Sequence, residues 1–324
     1  TGLISEYTVD GKSRLKPNSS VINVYADNED PWGMTVNGFD NKIGEFKLMS
    51  RNDANKFNGY PDEELANVRV IENGDVRMKV QALFEYDKSV AVVIYTIPKQ
   101  DAYIDVNVHM FSNDVNRAYK LTFKTDFEKG RFMGQTAFGT EELADDGSEV
   151  TFHNWCGKMS DDNEVYILNN GTYGGSGGKG EINMTVLRTP VYSAHPIGER
   201  QLAPHDRFLD HIDMGEREFE YRITTEKSVD KEAELFNMPP YSVPFFPSGK
   251  GEIKDIAVEI SNEDVLLTTM QKQNDGIIFR LFNAQNTENT ANVSVLGTNA
   301  KISLAPFEYK TYVLKNDKLS EMTK

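Results

Sequence analysis

Apolar and polar positions alternate along most of this chain. The clearest runs are residues 76–84, 104–110 and 119–123, in which every second side chain is apolar and those between are mostly polar or charged. A period of two residues is typical of a strand with one buried face and one solvated face. Helical periodicity is limited to a short stretch around residues 231–235. The pattern therefore predicts an all-β protein whose main body is a large antiparallel sandwich.

A proline-rich segment interrupts the alternation near residue 245. Residues 237–251 contain four prolines and two glycines, and proline cannot donate the backbone hydrogen bond that a sheet requires. Beyond this segment, five further strand-like runs are separated by turns. The length of 324 residues also exceeds what one hydrophobic core usually serves. We therefore predict two domains, a large super-sandwich at residues 1–245 and a small β-sandwich at residues 246–324.

Composition argues against several classes of partner. The formal net charge is −15, whereas binding to a phosphate backbone needs clustered lysine and arginine, so we expect no nucleic-acid partner. The longest apolar run, residues 90–97, is far shorter than the ~20 residues of a membrane span, so we expect no membrane partner. The single cysteine, Cys156, excludes an internal disulfide. We expect it to be a small buried apolar side chain, and its isolation indicates a cytoplasmic location.

The segment at residues 169–223 carries the most informative motifs. A glycine-rich stretch precedes a strand that ends in Arg-Thr-Pro, and an acidic turn precedes the next strand. These motifs resemble the C-terminal β region of glycoside hydrolase family 38, the α-mannosidases. The residues that carry the resemblance are Tyr173, Gly174, Leu187, Arg188 and Pro190, followed by Asp213, Gly215 and Phe219.

Further matches extend the resemblance over most of residues 1–315. Trp155 resembles the tryptophan of the family's His-x-Trp segment, and Trp32 that of an Asp-x-Pro-x-Trp stretch, although the spacing there is altered. Residues 280–283 and 306–311 resemble the last two motifs of the family. The resemblance implies a galactose mutarotase-like super-sandwich followed by a small β domain.

The resemblance also implies a function for a longer parent protein. Members of the family hydrolyse α-mannosides with retention, using an aspartate nucleophile and a zinc ion bound by a His-x-Asp motif. His211 and Asp213 share that spacing, but they lie in the acidic turn, far from where the family places its metal. We therefore expect a fragment without catalytic residues, metal ligands or a cofactor of its own, inactive alone. Its expected partners are the parent's own N-terminal catalytic domain, which would hold the zinc, and an α-mannoside.

Three residues are candidates for contact with that sugar: Arg188, Tyr173 and Asp213. In the family, loops at this end of the β region pack toward the catalytic domain and can lend polar side chains to the sugar site. The guanidinium group of Arg188 could bind substrate hydroxyls or fix an acidic residue through a bidentate contact. A strand-end arginine paired with a local carboxylate is an equally simple interpretation, and the sequence leaves both open.

Three other clusters allow different chemistry. Residues 205–213 contain two histidines and three aspartates, which could bind Ca²⁺ or Zn²⁺ or form a solvated acidic loop. The glycine-rich residues 171–181 predict a mobile loop; a phosphate-binding loop would continue into a helix, and here a strand follows. His109 and His153 are candidates for acid–base work in a mutarotase, provided that a carboxylate lies within hydrogen-bond reach.

The leading hypothesis is thus the non-catalytic C-terminal portion of an α-mannosidase-like hydrolase, which supports the catalytic domain and shapes one side of its cleft. Two alternatives remain from other classes, a carbohydrate-binding module without catalysis and a free-standing mutarotase-like epimerase.

Overall fold

The computed structural model describes residues 1–27, 37–59, 62, 64–127, 129–191, 208, 210–244, 246, 249, 258–273 and 276–322. Contacts divide the chain into two compact units. The first unit comprises Thr1–Gly134 and Glu141–Glu226, and the second comprises Gln135–Thr140 and Lys227–Lys324. The domain boundary predicted between residues 245 and 246 assigns residues 227–245 to the first domain instead. The predicted boundary stays a prediction, because residue 245 lies outside the described residues.

Two antiparallel sheets form the main body, and we call them the narrow sheet and the wide sheet. The narrow sheet consists of β3 (Val21–Ala26), β4 (Lys42–Glu45), β10 (Arg117–Lys124), β13 (Glu149–Thr151), β16 (Gly174–Gly178) and β17 (Glu181–Arg188), in the order β13-β16-β17-β10-β3-β4. The wide sheet consists of β5 (Lys47–Leu48), β6 (Val68–Asn73), β7 (Arg77–Tyr86), β8 (Ser89–Pro98), β9 (Ile104–Ser112), β11 (Arg131–Thr136), β12 (Gly139–Glu142), β14 (Trp155–Met159), β15 (Glu164–Asn169) and β18 (Gly215–Thr224). Its order is β12-β11-β14-β15-β18-β9-β8-β7-β5, with β6 paired to β7. A separate hairpin joins β1 (Tyr7–Val9) and β2 (Lys12–Leu15).

The core of the first unit lies between the facing sides of these sheets. Alternate residues of β9, namely Val106, Val108 and Met110, are fully buried, as are Tyr119, Leu121 and Phe123 of β10. The alternation therefore predicted the correct inward face for both strands. On the outward face of β10, however, Lys120 and Thr122 are buried as well, which a half-solvated strand does not require.

The second unit contains two smaller antiparallel sheets and one helix. Its helix is α2 (Val229–Asn237), at the position where the sequence indicated helical periodicity. The strands are β19 (Val258–Ile260), β20 (Val265–Gln273), β21 (Gly276–Asn283), β22 (Asn289–Val295), β23 (Thr298–Leu304), β24 (Tyr309–Lys315) and β25 (Lys318–Glu321), in the orders β19-β22-β23 and β20-β21-β24-β25. Apolar side chains from both sheets, such as Phe279, Leu281, Val293 and Leu304, form its core.

The first unit also contains a short helix that the hydrophobic pattern did not indicate, α1 (Arg51–Phe57). The Ser50 hydroxyl accepts a hydrogen bond from the Asp53 amide at 3.1 Å and caps its start. Ala54 packs on Leu83, so this helix covers part of the outward face of the wide sheet. Seven residues make only two turns, too few to produce a recognisable helical period.

The architecture confirms the predicted fold class, because strands arranged in antiparallel sheets dominate the described part of the chain. No helix in that part is long and apolar enough to span a membrane.

Candidate functional site

The strand register brings the three candidate sugar-contact residues to one end of the first unit. β17 ends at Arg188, and the antiparallel pairing of Gly175 with Met184 places Tyr173, just before β16, at the same end. A backbone bridge between Val191 and His211 brings the chain that leads to Asp213 beside the end of β17. We call this region, formed by the end of β17 and the starts of β16 and β18, the loop end.

Arg188 forms a bidentate ion pair with Asp27, which follows β3. Its Nε and Nη2 atoms donate to the two carboxylate oxygens of Asp27 at 2.9 Å and 2.7 Å. The Asp27 side chain is fully buried, whereas the Arg188 side chain keeps 18% of its surface exposed. A buried carboxylate needs such a partner, because isolating it from water without one is strongly unfavourable. Arg188 is therefore a strand-end arginine paired with a carboxylate, one of the two interpretations that the sequence left open, and its contact with a sugar stays a prediction.

A second ion pair lies beside the first and shares the ring of Phe39. The Arg188 guanidinium carbon lies 5.1 Å from the centre of this ring, and Lys120 Nζ lies 5.5 Å from it. Lys120 donates to Glu149 and, at 2.9 Å, to the hydroxyl of Ser176. Burial lowers the pKa of Lys120, while the neighbouring Glu149 opposes that shift. Two cations, each with its own carboxylate, thus contact one aromatic ring.

A chain of neutral hydrogen bonds crosses the same outward face of the narrow sheet. The Asn23 amide donates to the Thr122 hydroxyl at 2.7 Å, and that hydroxyl donates to Asn183 Oδ1 at 2.7 Å. Thr185 extends the polar face by donating to Glu149 at 2.7 Å. The alternation alone suggested a solvated surface here and gave no indication of this network. The available signal was the residue type, because Asn23, Thr122 and Asn183 all have hydrogen-bonding side chains. In the register, Thr122 pairs with Asn183, and Asn23 lies diagonally across from Thr122.

The threonine of the Arg-Thr-Pro motif anchors the end of β17. Thr189 is fully buried, and its hydroxyl donates to the carbonyl oxygen of Asp114 at 2.7 Å. The Asp114 carboxylate in turn accepts from the hydroxyl of Ser89 at 2.6 Å. The motif therefore ties the narrow sheet to the turn between β9 and β10 and holds Arg188 in place.

Tyr173 and Asp213 lie at the loop end in a more open environment. The Tyr173 side chain is 54% exposed, and its backbone oxygen accepts from the Phe152 amide at 3.1 Å. Asp213 adopts a positive φ of 51° in the turn before β18 and lies 3.9 Å from Arg217. Exposed pairs of this kind contribute little to stability. Both side chains are accessible to a neighbouring molecule, and their contact with a sugar stays a prediction.

The glycine-rich stretch is a strand, which corrects the predicted mobile loop. Residues Gly174–Gly178 form β16, whose central part is buried. A Cβ atom on Gly175 would lie 2.5 Å from the backbone oxygen of Asn183, and one on Gly177 would lie 2.5 Å from Phe132. The glycines are needed here because neighbouring atoms leave no room for a side chain.

The remaining sequence candidates have separate outcomes. Cys156 is a fully buried side chain, as predicted, and burial raises its thiol pKa. Trp155 is buried in the first unit, whereas Trp32 lies outside the described residues. Among the described residues, no group of three histidine, cysteine or acidic side chains could hold a metal ion. The cation alternative for residues 205–213 stays untested, because part of that segment is not described.

His109 has the carboxylate neighbour that acid–base chemistry would require. Its Nε2 atom lies 2.6 Å from Glu216, and Nδ1 lies 3.9 Å from Glu218. These residues lie on the outward face of the wide sheet, where Glu216 is 64% exposed. His153 is exposed, and its described contact is a backbone one, since its carbonyl oxygen accepts from the Asn169 side chain at 2.7 Å.

Comparison with solved structures relates this architecture to two bacterial proteins. A protein in the glycosyl hydrolase family 38 from Enterococcus faecalis superposes with a TM-score of 0.74 at 12% identity, covering 94% of this chain and 40% of that chain. An alpha-mannosidase from Enterococcus faecalis V583 gives a TM-score of 0.72 at 12% identity, covering 94% of this chain and 39% of that chain. This chain therefore spans well under half the length of either protein, and at this identity the similarity shows the fold. No curated protein matches the sequence.

The family comparison covers most of the first unit. The family model described as the glycosyl hydrolases family 38 C-terminal domain matches residues 1–196, more than half of the 324 residues. This range includes β17 and its Arg-Thr-Pro end. The resemblance on which the sequence analysis relied is confirmed, and the chain belongs to the glycosyl hydrolase family 38 C-terminal domain family.

Proposed function

We propose that this chain is the non-catalytic C-terminal portion of an α-mannosidase-like glycoside hydrolase. In this role it supports the catalytic domain and supplies one side of the cleft that binds an α-mannoside. Membership of the family and the small share of the bacterial proteins that this chain covers support the proposal. Its partner is the parent's own catalytic domain, and any zinc required for hydrolysis would be bound there.

The observation that carries the proposal is the rigid presentation of Arg188 at the loop end. Asp27 holds the guanidinium group through two hydrogen bonds, and Thr189 anchors the adjacent backbone. Part of the Arg188 side chain nevertheless remains exposed. An arginine that is fixed before the substrate arrives loses little conformational freedom on binding sugar hydroxyls. The exposed side chains of Tyr173 and Asp213 at the same end would complete the contact surface.

The decisive experiment replaces Arg188 in the full-length parent enzyme. We expect Arg188→Ala to lower kcat/KM for p-nitrophenyl α-mannoside by about tenfold or more, because a charge-assisted contact with the substrate is lost. Arg222→Ala is the control for loss of an arginine–carboxylate pair away from the loop end, since Arg222 binds Asp105 at 2.6 Å and 3.0 Å near the far end of β18. Because the Asp105 pair is more exposed and its loss should cost less stability, both variants are assayed well below their thermal transitions. Wild-type kcat/KM in Arg188→Ala, with the folded protein verified by its thermal transition, would refute the role in the cleft.

A second experiment tests whether the 324-residue chain lacks catalysis of its own. We expect no hydrolysis of p-nitrophenyl α-mannoside above the uncatalysed rate, with or without added Zn²⁺, since the family assigns that chemistry to its catalytic domain. Mixing the chain with a separately produced catalytic domain should raise the activity of that domain. Robust turnover by the chain alone would contradict the proposal.

The pair formed by His109 and Glu216 keeps the mutarotase alternative testable. The 2.6 Å contact gives His109 the partner carboxylate that this alternative requires. However, the large exposure of Glu216 would leave a bound sugar hydrated. We expect polarimetry of glucose or galactose to give the spontaneous rate of anomerisation. A faster rate that His109→Gln abolishes would favour the epimerase instead.

A further inference from the structure

The second unit contains a groove that neither the sequence motifs nor the proposed cleft involves. It has a volume of about 670 Å³ and lies on the sheet β19-β22-β23. Cavities of roughly 300–1,000 Å³ are the usual size for small-molecule sites. Its polar lining consists of Glu259, Ser261, Asn292, Ser294, Asn299 and Lys301.

The strand register arranges these side chains in two adjacent rows. In the first row, Glu259 pairs with Ser294, which pairs with Asn299. In the second row, Asn292 pairs with Lys301. Ser261 extends the second row, because its hydroxyl accepts a hydrogen bond from the backbone N–H of Asn292 at 2.9 Å. Residues at alternate positions share one face of a strand, so all six polar groups lie on the side opposite the core residues Val293 and Ile302.

The chemistry of the groove fits a neutral ligand rich in hydroxyl groups. The asparagine amides and serine hydroxyls both donate and accept hydrogen bonds, and the carboxylate of Glu259 adds acceptors and the ammonium group of Lys301 adds donors. Neither Glu259 nor Lys301 forms an ion pair with another described residue. Their opposite charges cancel, so the groove attracts neither anions nor cations strongly. No aromatic ring lines it, and its apolar lining consists of Ile260, Val293 and Ala300, so a ligand held by ring stacking is not the preferred occupant.

We propose that this groove is a carbohydrate-binding site that takes a neutral oligosaccharide, separate from the cleft of the parent enzyme. Such a site would keep a polymeric or glycan-linked substrate close to the enzyme without acting on it. Because neutral hydrogen bonds each contribute modestly in water and no ring stacks on the sugar, we expect a Kd on the order of 1 mM.

The test titrates mannotetraose, maltotetraose and cellotetraose into the isotopically labelled 324-residue chain and follows the side-chain amide signals of Asn292 and Asn299. These signals are assigned by their loss in the single alanine variants. We expect at least one of the sugars, at about 10 mM, to shift both signals in a saturable way. Inorganic phosphate and calcium chloride should leave them unchanged.

The variant Asn292→Ala/Asn299→Ala should weaken binding about tenfold, as measured by calorimetry, because two hydrogen-bonding groups are removed. The matched control is Thr290→Ala/Ser303→Ala, which alters the same strands and the same face outside the groove. These two hydroxyls bond each other at 2.7 Å, and the control should bind as the unaltered chain does.

The proposal is overturned if none of the three sugars shifts the two amides, if the asparagine variant binds within twofold of the unaltered chain, or if phosphate or calcium produces the same shifts. No outcome depends on hydrolysis, so failure here leaves the proposed role of the loop end intact.

Discussion

The outward face of the narrow sheet at β10 and the outward face of the wide sheet at the start of β18 have the same kind of sequence and opposite environments. Both carry polar residues at alternate positions, and each sheet includes a bidentate arginine–carboxylate pair. On the narrow sheet, Asn23, Lys120 and Thr122 are almost completely buried. On the wide sheet, Glu216 and Glu218 are mostly exposed. Alternation thus determines which residues share a face, whereas the surrounding segments determine whether water reaches that face.

The two arginine–carboxylate pairs have similar geometry but differ in the solvent exposure of the carboxylate. Arg188 binds Asp27 and Arg222 binds Asp105 through comparable distances, all between 2.6 Å and 3.0 Å. Asp27 is fully buried, whereas 29% of Asp105 is exposed. Asp105 is already partly solvated before its partner is removed, whereas Asp27 starts fully buried. Equal geometry should therefore give unequal energetic consequences.

Arg188→Ala should have the largest effect on stability. It removes both charge-assisted hydrogen bonds that Arg188 donates to the buried Asp27 carboxylate, and we expect a loss of about 3–5 kcal/mol in the free energy of unfolding. Urea denaturation, monitored by the fluorescence of the buried Trp155, measures this change.

The double variant Asp27→Ala/Arg188→Ala serves as its control. It removes the buried carboxylate as well and should be more stable than Arg188→Ala alone. If the double variant is no more stable than the single one, burial of the Asp27 carboxylate without the Arg188 guanidinium is not the cause of the loss.

Thr122→Val should have the next largest effect, because it breaks the neutral network on the narrow sheet. The valine leaves Asn23 without its acceptor and Asn183 without its donor. We expect a loss of about 1–3 kcal/mol, the usual cost of an unsatisfied buried polar group. Thr122→Ser retains the hydroxyl and should recover most of that loss in the same urea titration. A stable Thr122→Val variant would show that water reaches this face after all.

These contrasts also show how far the sequence could predict the site. Alternation placed Val106, Val108 and Met110 in the core, and the Arg-Thr-Pro motif identified the end of β17. The partner of Arg188 could not be predicted, because Asp27 lies 161 positions away and only the assembled sheet brings them together.

The burial of Lys120 likewise could not be predicted from the sequence. A lysine in an alternating strand normally points into solvent, so its burial depends on Phe39, Glu149 and the other groups that pack around it. The glycines of β16 form a strand instead of the predicted mobile loop, and the sequence could not show this for a related reason. These glycines are small enough for Phe132 and Asn183 to pack closely against them. Glycine occurs both in flexible loops and in closely packed strands, so the sequence alone does not distinguish the two.

Arg222→Ala should cost less than either change on the narrow sheet. The pair is partly exposed, and the guanidinium carbon also lies 3.7 Å from the centre of the Tyr103 ring. We expect a loss of about 1 kcal/mol, from a screened ion pair and a cation–π contact together. The loss should shrink at 1 M NaCl, where the Debye length is about 3 Å. A loss equal to that of Arg188→Ala would contradict the assignment of different environments to the two pairs.

His109→Ala should have the smallest effect, even though His109 forms a 2.6 Å contact with Glu216. Glu216 and Glu218 are both well exposed, so each can be solvated fully once the imidazole is removed. The substitution should change the free energy of unfolding by no more than about 0.5 kcal/mol. Removing the ring also removes its contact with Phe111, at 4.7 Å between centroids, so His109→Phe is the control that keeps an aromatic ring at this position and removes the ring nitrogen atoms. A loss of no more than about 0.5 kcal/mol in both variants would agree with a solvated histidine–glutamate pair, whereas a loss above about 1 kcal/mol in both would show that the pair is protected from solvent.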